Sequence, residues 1–221
     1  MCWLLRCALA AVLVVAALMV AWRHWPPVSG LMVARWARKG GFERSYVGLD
    51  RISPRAQAAV VTSEDARFCS NDGVDWTSLW QVIRTARGGM PARGASTITM
   101  QTVKNLFLWP SRSVIRKAIE IPLALVLDLA WPKQRILEVY LNVAQWGHGL
   151  FGIEAASWRY FHEPASDLNA YQAALLATSL PDPFQRDPAH PSRLQRILAD
   201  RLLRRMRSAA PWLHCLPSHP T

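Results

Sequence analysis

Between Cys7 and Trp22 the chain carries no charged residue, only a run rich in alanine, valine and leucine that closes on a tryptophan. A helix needs about 20 apolar residues to cross a bilayer. Counted from Met1, with Arg6 snorkelling toward the headgroups, the segment reaches that length. Trp3, Trp22 and Trp25 flank it as an aromatic belt would. A cleaved signal peptide is the competing reading, but no clear small-x-small site precedes a polar start. We therefore read residues 1–25 as an uncleaved membrane anchor, which makes the rest of the chain a domain held at a membrane surface. Charge does not settle its orientation: Arg6 lies on one side of the run, and Arg23, Arg35, Arg38 and Lys39 on the other.

Beyond the anchor the pattern is helical. Pro26-Pro27 and Gly40-Gly41 punctuate a membrane-proximal linker, 26–51. Ser53-Pro54 is a helix start, with a serine cap and proline at the first helical position, and that helix runs to Glu64. Further helices are expected over 78–87 (ending at Gly88-Gly89), 97–107 (stopped by Pro110), 112–131, 133–144, 168–180 and 193–207. Pro122 should kink the 112–131 helix or start a new one. Alternation suited to strands is scarce, so the fold class is mainly α. A main domain over 52–210 and a tail over 211–221 complete the chain.

At 51% hydrophobic the chain can bury a core. A net charge of +11 makes its surface attractive to anions. Nucleic acid, lipid headgroups and diphosphates all qualify. No nucleic-acid motif is present, and an anchor argues against that partner. The four cysteines lack metal-ligand spacing. Cys69 and Cys215 are available to pair in an oxidising compartment, and their sequence separation leaves their distance in space open.

Chemistry concentrates in three polar blocks. The first is Glu64-Asp65-Ala66-Arg67-Phe68, and the second runs from Gly94 through Ser96, Thr97 and Gln101 to Lys104-Asn105. The third is Arg116-Lys117-Ala118-Ile119-Glu120. Two carboxylates and several cations in one region can activate a hydroxyl and stabilise a departing phosphate. Glu64 falls at a helix C-terminus, where the dipole nudges a carboxylate pKa upward. Taken singly, Glu64 would be a solvated helix end and Glu120 a surface partner of Arg116 at i,i+4. The arginines of the last helix read as a solvated face.

In this order the blocks resemble the family 51 glycosyltransferases that polymerise peptidoglycan. The likeness extends from Ile52-Ser53-Pro54 through Glu138-Val139-Tyr140-Leu141-Asn142 and Gly152-Ile153-Glu154-Ala155-Ala156 to Leu180-Pro181-Asp182-Pro183. With no Ser-x-x-Lys and no Lys-Thr-Gly, the chain is similar to the monofunctional branch. The resemblance implies a lysozyme-like helical domain on a single-pass anchor in a bacterial inner membrane, facing the periplasm. It implies a hexosyltransferase that extends an undecaprenyl-diphosphate-linked glycan with lipid II, inverting the anomeric centre. By that likeness Glu64 is the general base and Glu120 the second carboxylate. Lys104, Arg112, Arg116 and Lys117 gather around the donor diphosphate. Ser96, Thr97, Gln101, Asn105 and Phe68 line the substrate, and Asp65 orients the loop or a cation. No cofactor is obligatory; a divalent cation, Mg or Mn, at the diphosphate is left open, as are division or wall-synthesis proteins as partners. The chain departs from the family pattern at Asn71 (often histidine), Met100 (usually glutamine) and Asp128 (often glutamate). Two rival readings are a lytic glycosidase on a related fold and an inactive membrane-anchored scaffold. The first has no use for a cation cluster, and the second no use for Glu64.

Overall fold

The computed structural model describes residues 2–87, 94, 96–109, 113–209 and 212–216. Gly88-Gly89, Pro110 and Arg112, all given roles above, lie outside these. The apolar N-terminal run is helix α1 (Cys2–Trp22), long and apolar enough over Leu5–Trp22 to cross a membrane, with its described side chains facing outward almost throughout. Its end is docked on the domain. Trp131 Nε1 donates to the Met19 carbonyl at 2.9 Å, and Arg135 Nη2 donates to the Trp22 and Trp25 carbonyls at 2.8 and 2.7 Å. Met19 O also accepts from Arg23 N, whereas the Trp22 and Trp25 carbonyls lie at the helix end and in the turn after it, so one guanidinium both caps and clamps the end of α1.

Residues between α1 and Ile52 carry folded elements of their own. Ser29 caps helix α2 (Gly30–Lys39) by accepting from Met32 N, and Met32 is fully buried. Strand β1 (Glu43–Arg44) and a 3₁₀ turn (Leu49–Arg51) follow. The Tyr46 hydroxyl donates to Glu138 at 2.7 Å, and Asn142 exchanges two hydrogen bonds with the Val47 backbone.

The core is built on α3 (Pro54–Glu64), whose Ala56 to Thr62 are all buried. Such a helix has no solvent face, and its small residues let α9 (Ala170–Ser179) and α10 (Arg193–Met206) pack close against it. A second layer places α5 (Ile98–Phe107) between α6 (Val114–Ala130) and α7 (Lys133–Val143). Helix α4 (Trp76–Arg87) starts two residues before the expected Ser78, because Asp75 accepts from Ser78 N and caps the first turn. Helix α6 runs through Pro122 without a new start. Helix α2 had no counterpart in the sequence reading, nor did α8 (Ile153–Phe161) or a small sheet of order β1-β3-β2 with β2 (Gln145–Gly147) and β3 (Leu150–Phe151). β1 runs parallel to β3 and β2 antiparallel to it.

Cys69 and Cys215 form a disulfide with Cα atoms 5.4 Å apart, fastening the segment after α10 to the loop after α3.

Candidate active site

Glu64 is the last residue of α3, since Asp65 leaves helical dihedrals at φ −156°. The side chain is partly buried. It accepts a hydrogen bond from Gln101 Nε2 at 2.9 Å. Burial pushes its pKa up, and the Gln101 bond and the charges of Lys104 and Arg186 pull the other way. The dipole of the helix end is not needed to explain the direction. Burial makes the carboxylate a better proton acceptor, while Gln101 and the two cations favour its charged form, the balance a general base needs.

Gln101 and Lys104 lie one turn apart on α5 and share a face. Lys104 makes no hydrogen bond to a carboxylate among the described residues. Burial lowers its pKa, and Glu120 and Glu64 hold it up from two sides, against Arg116 and Lys117. It thus stands electrostatically between the two carboxylates.

Glu120 is not the exposed partner that its i,i+4 spacing allows. It is 2% exposed and held by Arg116 and by Lys117 Nζ, the latter at 2.8 Å. Lys117 Nζ also donates to Ser96 Oγ at 3.0 Å and approaches Met100 Sδ at 3.8 Å. The thioether that replaces the family amide at 100 is therefore a soft acceptor for the same lysine.

Asp65 is buried, accepting from Ile98 N at the start of α5 and from Asn71 Nδ2. Burial lifts its pKa to about 6. Its contacts fix the loop against α5. The departures at 71 and 128 fall in one network with it: Lys133 Nζ donates to Asn71 O at 2.6 Å and to Asp128 Oδ1 at 2.7 Å. Gly73, at φ +85°, closes this corner, where a Cβ would meet Ala124 O at 2.6 Å.

Three expected substrate contacts also have places in the packing, and of these Thr97 lines the cleft described below. Phe68 is 0% exposed, a core residue with Lys133 Nζ 4.9 Å above its ring. Asn105 is buried on α5. The Thr97 hydroxyl caps α5 by accepting from Met100 N and donates to Gly73 O at 2.6 Å. Ser96 also lines the cleft, where its hydroxyl oxygen accepts from Lys117.

Two arginines join the site from outside the three blocks. Arg186 donates to Thr178 O at 2.5 Å and sends its charge toward Glu64. Arg205 donates to Thr62 O at 2.7 Å. A cleft of about 230 Å³ runs past Glu64, Asp65, Arg67, Ser96 and Arg205. Arg205 sits in the arginine-rich helix expected to be a solvated face. No local signal marks it, because only the packing of α10 on α3 brings it in.

A helical domain behind an apolar N-terminal helix, with one carboxylate set against a buried carboxylate-cation cluster, has the form of a transglycosylase. The transglycosylase family model matches residues 30–207, and the chain belongs to that family. Its domain is accordingly a lysozyme-like helical fold. The chain is 48% identical over 190 residues to a biosynthetic peptidoglycan transglycosylase of Agrobacterium fabrum, covering 86% of this chain and 84% of that one. It is 49% identical over 194 residues to the protein of that name in Brucella suis, covering 86% and 85%. Against the one in Rhodospirillum centenum it is 48% identical over 197 residues, covering 88% and 85%.

Proposed function

We propose that this chain is a peptidoglycan glycosyltransferase that polymerises lipid II into β-1,4-linked glycan strands, releasing undecaprenyl diphosphate with inversion. The observation that carries this is Lys104, a half-buried cation under the influence of both Glu64 and Glu120, with no carboxylate hydrogen-bonded to it among the described residues. Such a cation is ready for the charge a diphosphate develops as it leaves. Glu64 removes the proton from the 4-hydroxyl of the acceptor N-acetylglucosamine, and the oxygen attacks C1 of the donor N-acetylmuramic acid. Lys104 meets the leaving diphosphate, backed by Arg116 and Lys117. Glu120 keeps that pair of cations from repelling each other. A lytic glycosidase would leave this cation cluster without a purpose.

The residues at the cluster do not fit a resident divalent ion. Glu120 is already engaged by two cations, and among the described residues no three of His, Cys, Asp and Glu gather as a ligand set. No step is routed through a metal. The proposal places α1 in the inner membrane and the domain in the periplasm. The disulfide supports that side, because such bonds persist in oxidising compartments.

The direct test is polymerisation of purified lipid II by the full chain in detergent, followed by glycan length and released undecaprenyl diphosphate. Absence of both products with folded protein overturns the reading. Lys104→Ala is expected to lower kcat/KM by about 10²-fold, the usual loss for one charge-stabilising donor. Unchanged donor saturation and turnover would remove Lys104 from the diphosphate.

A further inference from the structure

Gln101 is held at both ends. Its Nε2 donates to Glu64 Oε2 at 2.9 Å, and its Oε1 lies 3.3 Å from the Tyr140 hydroxyl. Tyr140 belongs to α7 and is 1% exposed. Among the described residues Gln101 Oε1 is the hydroxyl's only hydrogen-bond acceptor. A buried hydroxyl seeks an acceptor, so Tyr140 directs its proton at Gln101 and turns the oxygen of the amide toward itself. The NH₂ group is then left facing Glu64.

We infer that Tyr140 is a positioning residue for the transfer reaction, acting through Gln101 to fix which oxygen of Glu64 takes the proton. This rests on the reading of Glu64 as the base. The amide occupies Oε2 and leaves Oε1 for the acceptor hydroxyl. It also favours the ionised carboxylate, because a fixed N–H stabilises negative charge. With Tyr140 unable to donate, the amide turns freely. It can then present its own oxygen to a protonated Glu64, which favours the acid form. The other charged groups around Glu64 would be unchanged: Lys104 from α5, Arg186 from the segment after α9, Arg205 from α10, and Asp65 beside it.

The test is the pH profile of kcat/KM for lipid II polymerisation by the full chain and two variants, Tyr140→Phe and Gln101→Met. Loss of the base by protonation sets the acid limb. Both variants are expected to move that limb upward by about 0.5–1 pH unit, so that turnover below the wild-type midpoint falls roughly 3- to 10-fold. The double variant should move it no further, because the two residues act in series. Tyr140→Phe should leave the lipid II KM unchanged. Gln101 is only partly buried, so its variant still reports if Tyr140→Phe does not fold. A limb that superimposes on the wild type, or an equal loss at every pH, overturns the proposal. Glu64→Gln, run alongside, separates the two ideas: wild-type turnover there would remove the base itself.

Discussion

Glu64→Gln is expected to reduce lipid II polymerisation by about 10³-fold or more while the protein stays folded and at least as stable. The rate term follows from general-base catalysis, which contributes roughly 10²–10⁴-fold. An amide cannot take the acceptor proton, and among the described residues the other carboxylates nearby are already engaged. Asp75, which also lines the cleft, is held by Arg67 and Ser78. Asp65 is held by Ile98 and Asn71, and Glu120 is locked by Arg116 and Lys117. The stability term has the opposite sign from most substitutions. Burial already disfavours the Glu64 charge, so a neutral isostere removes a desolvation cost. It also loses attraction to Lys104 and Arg186, which offsets part of the gain. Glycan synthesis and thermal unfolding measured on one preparation decide the matter. Synthesis at or near the wild-type rate would strip Glu64 of its role. A large fall in melting temperature would make loss of activity uninformative and point to a structural carboxylate.

The features legible in the sequence are those fixed by near neighbours. Ser53-Pro54 stands at the start of α3 with Pro54 in its first turn, although the Ser53 hydroxyl donates to Leu168 O and makes no cap bond. Ser29 before α2 was an equally good signal, masked by the prolines and glycines around it, which made the stretch read as a linker. The site was legible as three blocks but not as a geometry. Gln101 meets Glu64 across 37 positions, and Arg205 meets Thr62 across 143. Neither pairing has a periodicity to betray it. Burial separated residues that look alike in sequence: Ser96 accepts from Lys117, whereas its neighbour Thr97 gives its hydroxyl to the helix start. Glu120 shows the limit most clearly. Its spacing from Arg116 is that of a surface pair, and only the packing of α6 on α5 makes it a buried charge worth keeping for function.

Replacing Cys69 and Cys215 together by serine is expected to destabilise the domain by about 2–4 kcal/mol, which for a chain of this size lowers the melting temperature by roughly 5–15 °C. The bond joins positions 146 residues apart and so restricts most of the unfolded domain, from α4 to the tail. In the folded state the tail has other holds. Leu213 and Leu216 are buried, and Gln134 donates to the Cys215 carbonyl. The loop after Glu64 has its own in Asp65 and Phe68. Activity at low temperature should therefore stay within about threefold of the wild type while unfolding moves. An unchanged melting temperature would mean that the cross-link contributes nothing the packing does not already supply. The same pair reports orientation in the cell. In a chain with Cys2 and Cys7 replaced by serine, a thiol reagent added after rapid denaturation labels only reduced Cys69 and Cys215. Protection from the reagent, relieved by a reductant, is the result expected of a domain facing the oxidising periplasm. Full labelling without reductant would put the domain on the cytoplasmic side, where neither lipid-linked glycan export nor this disulfide would make sense.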